Sequence, residues 1–251
     1  MLLFLKNHPF AVDAFFESSI VLTFALPKEQ LAERIPPCLT LDTFDDKWAF
    51  VAVALVQTRD LRPKGFPRFL GNDFFLIGYR IFVRYTNAQT RRLRGLYILR
   101  SETDRRRMEI LGNTFTHYNY TTTDIFFQTR GSRTSVWSAR SGLDIVVDAA
   151  GPDIPLPAGS PFPDWHEARR YAGPLPFTFT YNQDSKMVTI IEGVRQNWQP
   201  SPLHVLQHRV DVLDQLGLSS PVLANAFVVN KIPYRWKKGK LEKWTGGNFK
   251  G

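Results

Sequence analysis

Nine consecutive residues, Trp48-Ala-Phe-Val-Ala-Val-Ala-Leu-Val56, carry no charge and no polar side chain beyond one indole. β-branched and aromatic content makes the run a strand, and because it is apolar at odd and even positions alike, both of its faces must be covered. It belongs at the centre of a sheet or in a wall lined on both sides. Nine residues are less than half a membrane span, so the run is a core strand in a soluble chain and no membrane partner is expected. The 43% hydrophobic content, with 20 Phe in 251 residues and no compositional break, suits one large core, and residues 1–251 are read as a single domain ending in a basic tail at about 237–251.

A second stretch, from Arg80 to Tyr120, places charge inside β sequence. Residues 73–86 read as a strand that turns through Thr86-Asn-Ala-Gln-Thr90 into another at 93–101, a hairpin. Gly78, Arg80, Phe82 and Arg84 share one face of the first strand. A guanidinium set mid-strand among apolar neighbours needs an anionic partner or a water-filled cavity, because a buried unpaired charge costs several kcal/mol. Arg80 or Arg100 can find that partner in Glu102, or Arg80, Arg84 and Arg100 can line a pocket for a carboxylate or phosphate. Thr103–Leu111 can form a helical turn or two, capped by Thr103 or Asp104 and closed by Gly112. The consecutive Arg105, Arg106 and Arg107 would then point three ways, with one of them turned inward.

The remaining chain alternates strands with two long loops. Residues 17–26 form a strand ending at Pro27, and residues 28–35 a short helix stopped by Pro36-Pro37. Residues 59–72 are rich in Gly, Pro and charge, and residues 150–176 hold seven of the seventeen prolines; both are expected as loops over the mouth of a cavity. Within the second, Asp164-Trp-His-Glu167 has capping-box spacing ahead of a short helix at 165–171. Strands are expected at 118–129, 134–139 and 143–149, a hairpin at 177–195, and closing strands at 227–229 and 234–236. Residues 203–216 fit either a helix or a strand ending in a short helix.

Charge and cysteine content remove several classes of function. The net +9 sits in residues 91–107 (local +5) and 231–251 (local +6), leaving −2 elsewhere, so there is no basic stripe of the kind that tracks nucleic acid. Cys38 is the only cysteine, which excludes an intrachain disulfide and a thiolate metal site and fits a reducing, cytoplasmic compartment. His204, His208 and Asp211 have metal-ligand spacing on a helix, but on a strand the two histidines stand roughly 13 Å apart. No metal and no cofactor is expected. A homodimer through exposed edges or aromatic loops remains open.

Several blocks then resemble one family in order along the chain: HPFAVDAFFESSIVLTFAL, VAVALVQTRDLRPKGFPRFLGNDFFLIGYRIFVRY, GLYILRSETDRRRM, GNTFTHYNY and VLANAFVVNKIPYRW. They are similar to the uncharacterised YqjF-like family, domain-of-unknown-function family 2071, itself related to the acetoacetate decarboxylase-like fold. The resemblance implies a mainly β (α+β) chain forming an antiparallel, closed or nearly closed barrel with a few short helices around a small-molecule cavity. Acetoacetate decarboxylase works through a Schiff-base lysine, and that enzyme is itself a standard example of a lysine activated by its surroundings. The corresponding stretch here, Arg100 to His117, contains no lysine, so the imine route does not carry over.

Together these features predict a pocket for a small anionic, carboxylate-bearing or enolisable molecule. Arg80, Arg84, Arg100, Arg107, Asn113, Tyr118 and Tyr120 would bind it, and His117 or Glu102 would move a proton. The alternatives are a binding or sensing domain without turnover and, less supported, nucleic-acid binding through the basic clusters.

Overall fold

The computed structural model describes residues 5–151, 153–172, 175–196 and 198–246. The apolar start of the chain at 1–4 and the last lysine of the basic tail lie outside the described residues. Strands β1 (Val12–Pro27), β2 (Thr40–Leu41), β3 (Trp48–Pro63), β4 (Asn72–Thr86) and β5 (Arg92–Thr103) come first, with helix α1 (Lys28–Ala32) after β1. Helix α2 (Arg106–Phe115) leads to β6 (Tyr120–Thr122), β7 (Phe126–Arg130), β8 (Arg133–Ser138), β9 (Leu143–Asp148) and helix α3 (Trp165–Ala168). Then follow β10 (Phe177–Asn182), β11 (Met187–Arg195), β12 (Ser201–Pro202), β13 (His204–Val210), helix α4 (Asp211–Gln215), β14 (Val222–Trp236) and β15 (Lys240–Lys243).

The large sheet runs β14-β1-β3-β4-β5-β10-β11, and β11 pairs back onto β14 through Gly193↔Trp236, Val194↔Arg235 and Arg195↔Tyr234. The pairings therefore form a ring. The expectation of an antiparallel sheet is corrected at two places, since β10 and β6 each lie parallel to β5. A parallel pair needs a crossover, and the excursions after β5 supply it: α2 before β6, and β7, β8 and β9 with α3 before β10.

That second sheet, ordered β13-β9-β8-β7, explains the doubly apolar strand. Val51, Val53 and Leu55 of β3 join a core that also holds Val136, Ile145 and Val147 of the second sheet. Phe50, Ala52, Ala54 and Val56, at the alternate positions, enter a separate core with Phe16, Phe82 and Tyr171. Both faces are buried, each against a different partner.

Several boundaries differ from expectation. β3 continues to Pro63, past the charged residues from Arg59, because register shifts at Phe16/Ser18 and Thr58/Leu61 absorb the misfit and Asp60 takes a positive φ of 59°. The loop expected at 59–72 thus shrinks to residues 64–71. The stretch 118–129 is broken at Thr123–Ile125 so that β6 and β7 serve different sheets. Residues 203–216 settle as β13 followed by α4, which puts His204 and His208 on one strand; among the described residues no cluster of His, Cys, Asp or Glu could hold a metal ion. The basic tail is partly built into the fold, with β15 pairing along β11 and Glu242 buried beside Tyr85. Among the described residues no helix is long and apolar enough to cross a membrane.

The proline-rich segment packs down as a strap. Asp164 accepts a hydrogen bond from the Glu167 amide (2.9 Å), as the capping-box spacing predicts, and Phe162, Ala168 and Tyr171 are buried. Tyr171 packs against both Phe50 and Phe162, which also stack on each other; its hydroxyl donates to the Thr43 carbonyl (2.8 Å), and its carbonyl accepts from Thr23 (3.0 Å).

Candidate functional site

A single extra residue in β5 decides which charges meet. Tyr79 pairs with Arg100 but the next residue, Arg80, pairs with Ile98, leaving Leu99 as a bulge. Since side chains alternate along a strand, one inserted residue switches the face of all that follow. Arg100 and Glu102 consequently stand on the Tyr79 face of the sheet. There Glu102, fully buried, is 2.6 Å from an Arg100 Nη and accepts from the Tyr79 hydroxyl at 3.0 Å. Arg100 also reaches Gln215 of α4 at 3.4 Å, so the group ties the large sheet to the layer outside it.

Arg80 points the other way. It has no ion pair among the described residues, and its buried Nε has no hydrogen-bond partner. The guanidinium lies back over Gly78: a Cβ placed there would be 2.8 Å from Nε and 2.9 Å from Nη2. Glycine here makes room for the cation. Around it is a partly open cavity of about 50 Å³ with Ser101, Tyr118, Tyr120, Thr178 and Tyr234 in its wall. Burial pushes the hydroxyls of Tyr118 and Tyr234 above the usual tyrosine value, and that of Tyr120 to about 12. At neutral pH they are uncharged donors. Burial also lowers the Arg80 pKa from the usual arginine value. The described cavity wall contains no Lys, His, Asp, Glu or Cys.

Helix α2 sets two of these tyrosines. It runs through Gly112, where a helix end is expected from the sequence, because a Cβ at that position would collide with the Tyr120 ring. Asn113 holds the Tyr120 backbone at both ends, its Nδ2 donating to the carbonyl and its Oδ1 accepting from the amide, each at 2.8 Å. Asn113 thus positions Tyr120 while standing outside the cavity wall. The Tyr118 and Tyr120 rings face one another at 6.4 Å.

Other sequence candidates lie elsewhere. Arg84 joins Arg94 around the fully buried Asp42, at 2.5 Å from Arg84 to the carboxylate. Arg107 is exposed on α2. His117 is half-buried, with its pKa lowered by desolvation and by Lys6, and belongs to neither the Arg80 cavity nor the pocket beside it. Tyr234 and Thr178 went unpredicted. Tyr234 carried a weak signal, since it follows Pro233 at alternating spacing with Ile232 and Trp236, but only the β11–β14 closure brings it opposite Arg80. Arg195 lies beyond Tyr234, stacked on Trp198 at 4.8 Å.

Beside the cavity is a second, larger pocket of about 140 Å³, which shares Tyr118, Tyr120 and Trp236 with it. Its wall is apolar except at His8, Arg62, Asn72 and Thr116 and the shared tyrosine hydroxyls.

Comparison with known proteins agrees with this architecture. An acetoacetate decarboxylase from Legionella pneumophila superposes with a TM-score of 0.56 at 13% identity, over 92% of this chain and 87% of that one. An acetoacetate decarboxylase-like enzyme from Sphingomonas wittichii RW1 gives 0.58 at 10% identity, over 95% of each chain. The enduracididine biosynthesis enzyme MppR, in complex with pyruvate, gives 0.55 at 11% identity, over 93% of this chain and 90% of that one. At these identities the likeness concerns the fold. No curated protein matches the sequence. The family model for DUF2071, described as an uncharacterized conserved protein, matches residues 15–243, and the chain belongs to that family.

Proposed function

We propose that this protein binds a small carboxylate-bearing molecule at Arg80, inside a ring of strands acting as a closed barrel. The observation that carries the proposal is the unpaired cation. A half-buried guanidinium whose Nε is enclosed without a carboxylate beside it is costly, and an anionic ligand offering two oxygens offsets that cost while matching the fork of the side chain. The hydroxyls of Tyr118, Tyr120 and Tyr234 are neutral donors disposed around the same space, suited to a carboxylate or to the carbonyl oxygen of an oxo acid. A fold neighbour complexed with pyruvate supports this ligand class.

Binding without turnover is favoured over catalysis. Proton abstraction needs a group that accepts a proton near neutral pH, and the described cavity wall has none. Imine formation needs a lysine, also missing there. Glu102 serves on the opposite face of the sheet, and His117 stands outside the cavity. Titration calorimetry with pyruvate is expected to show saturable binding that Arg80→Ala abolishes; equal binding by the variant contradicts the proposal. Borohydride added with pyruvate is expected to leave the protein mass unchanged. A reduced adduct on any lysine would instead establish imine chemistry.

A further inference from the structure

Helix α2 turns an apolar stripe toward a hollow. Met108, Leu111, Gly112 and Phe115 fall at i, i+3, i+4 and i+7, the spacing that normally faces a core, yet all four line the 140 Å³ pocket next to the Arg80 cavity. Opposite them stand Phe10, Val12 and Leu61. Set into this apolar wall is His8, 6% exposed, whose Nδ1 has no hydrogen-bond partner. A buried ring nitrogen left unpaired costs about 1–3 kcal/mol, which a hydrogen-bonding group arriving with a ligand relieves.

Resting on the anion site proposed above, we propose that the bound acid has an apolar tail that passes the Tyr118, Tyr120 and Trp236 partition into this second pocket and ends in a hydrogen-bonding group near His8. The ligand class is then an aryl- or alkyl-substituted carboxylic acid with a hydroxyl or amino group toward the tail end. The head binds at Arg80, the tail buries apolar surface against α2, and the hydroxyl or amino group satisfies the imidazole. Two adjacent compartments, one holding the arginine and the other almost wholly apolar, share three aromatic walls, as one amphiphilic ligand requires.

Calorimetry on the full chain with propanoate, phenylpropanoate and its para-hydroxy form tests this. Phenylpropanoate is expected to bind about ten-fold or more tightly than propanoate, and the hydroxylated acid more tightly again. Leu111→Trp, which fills the pocket from a partly exposed position, is expected to erase the gain and leave propanoate binding intact, while His8→Asn erases only the increment from the hydroxyl. Where a filled pocket prevents folding, the Met108 methyl resonance of the wild type gives a second readout, expected to move with phenylpropanoate and not with propanoate. Equal affinities for the three acids, or an undisturbed Met108 methyl, overturn the tail assignment while propanoate binding that needs Arg80 keeps the anion site. Propanoate binding indifferent to Arg80→Ala instead removes the anion site itself.

Discussion

Arg80 differs from the other central arginines in what lies beside it. Arg84 and Arg94 share Asp42, and Arg100 has Glu102, whereas Arg80 has a glycine beneath it and tyrosines around it. Gly78→Ala separates position from charge. The new methyl would meet only the far end of a flexible side chain, so the strand survives and gains up to about 1 kcal/mol from the loss of glycine entropy. The guanidinium must move, and pyruvate affinity is expected to fall about ten-fold or more. Unchanged affinity in calorimetry, with a folded variant, would show that the pose over Gly78 is unimportant. The sequence shows Gly78 and Arg80 on one face. It does not show that Arg80 lacks an acid, because that depends on a bulge in the neighbouring strand β5.

At the scale of elements, the Leu99 bulge divides one charged stretch into two working surfaces. From the sequence alone, Arg80, Arg100 and Glu102 read as neighbours, and pairing of Arg100 with Glu102 is legible; the face they occupy is not, since a one-residue bulge leaves no mark in a run such as Leu-Tyr-Ile-Leu-Arg. Arg100→Met tests the division. It leaves Glu102 buried with Tyr79 as its remaining partner, and the expected loss is about 2 kcal/mol or more in urea unfolding, moderated because Arg100 is one third exposed. Pyruvate binding is expected to persist. Helix α2 carries the same lesson, because Gly112 looks like a stop until Tyr120 is placed against it. Local propensity reveals the strands and the Asp164 cap well; it misses whatever depends on a partner distant in sequence.

Across the whole molecule, ring closure by β11 and β14 assembles the site from both ends of the chain, with His8 near one end and Tyr234 and Trp236 near the other. Burial lowers the His8 pKa from 6.5 to about 4, outweighing neighbouring backbone carbonyls. The unfolded chain therefore binds a proton that the folded one resists. Stability from this group is complete above about pH 6.5 and is lost as pH falls through about 4, amounting to about 3 kcal/mol at most. His8→Asn, which tolerates the positive φ of 54°, is expected to flatten the dependence of the urea midpoint between pH 7 and 4; an identical slope would contradict the burial of a neutral imidazole. The role of Arg80 turns on where a small acid binds, and a crystal structure of the protein soaked in pyruvate decides that directly. The predicted result is a carboxylate within hydrogen-bond distance of the Arg80 guanidinium, with a tyrosine hydroxyl on an oxygen of the ligand. Pyruvate seated instead in the outer recess near Arg62, Arg68 and Arg195, with the Arg80 cavity unchanged, would contradict it.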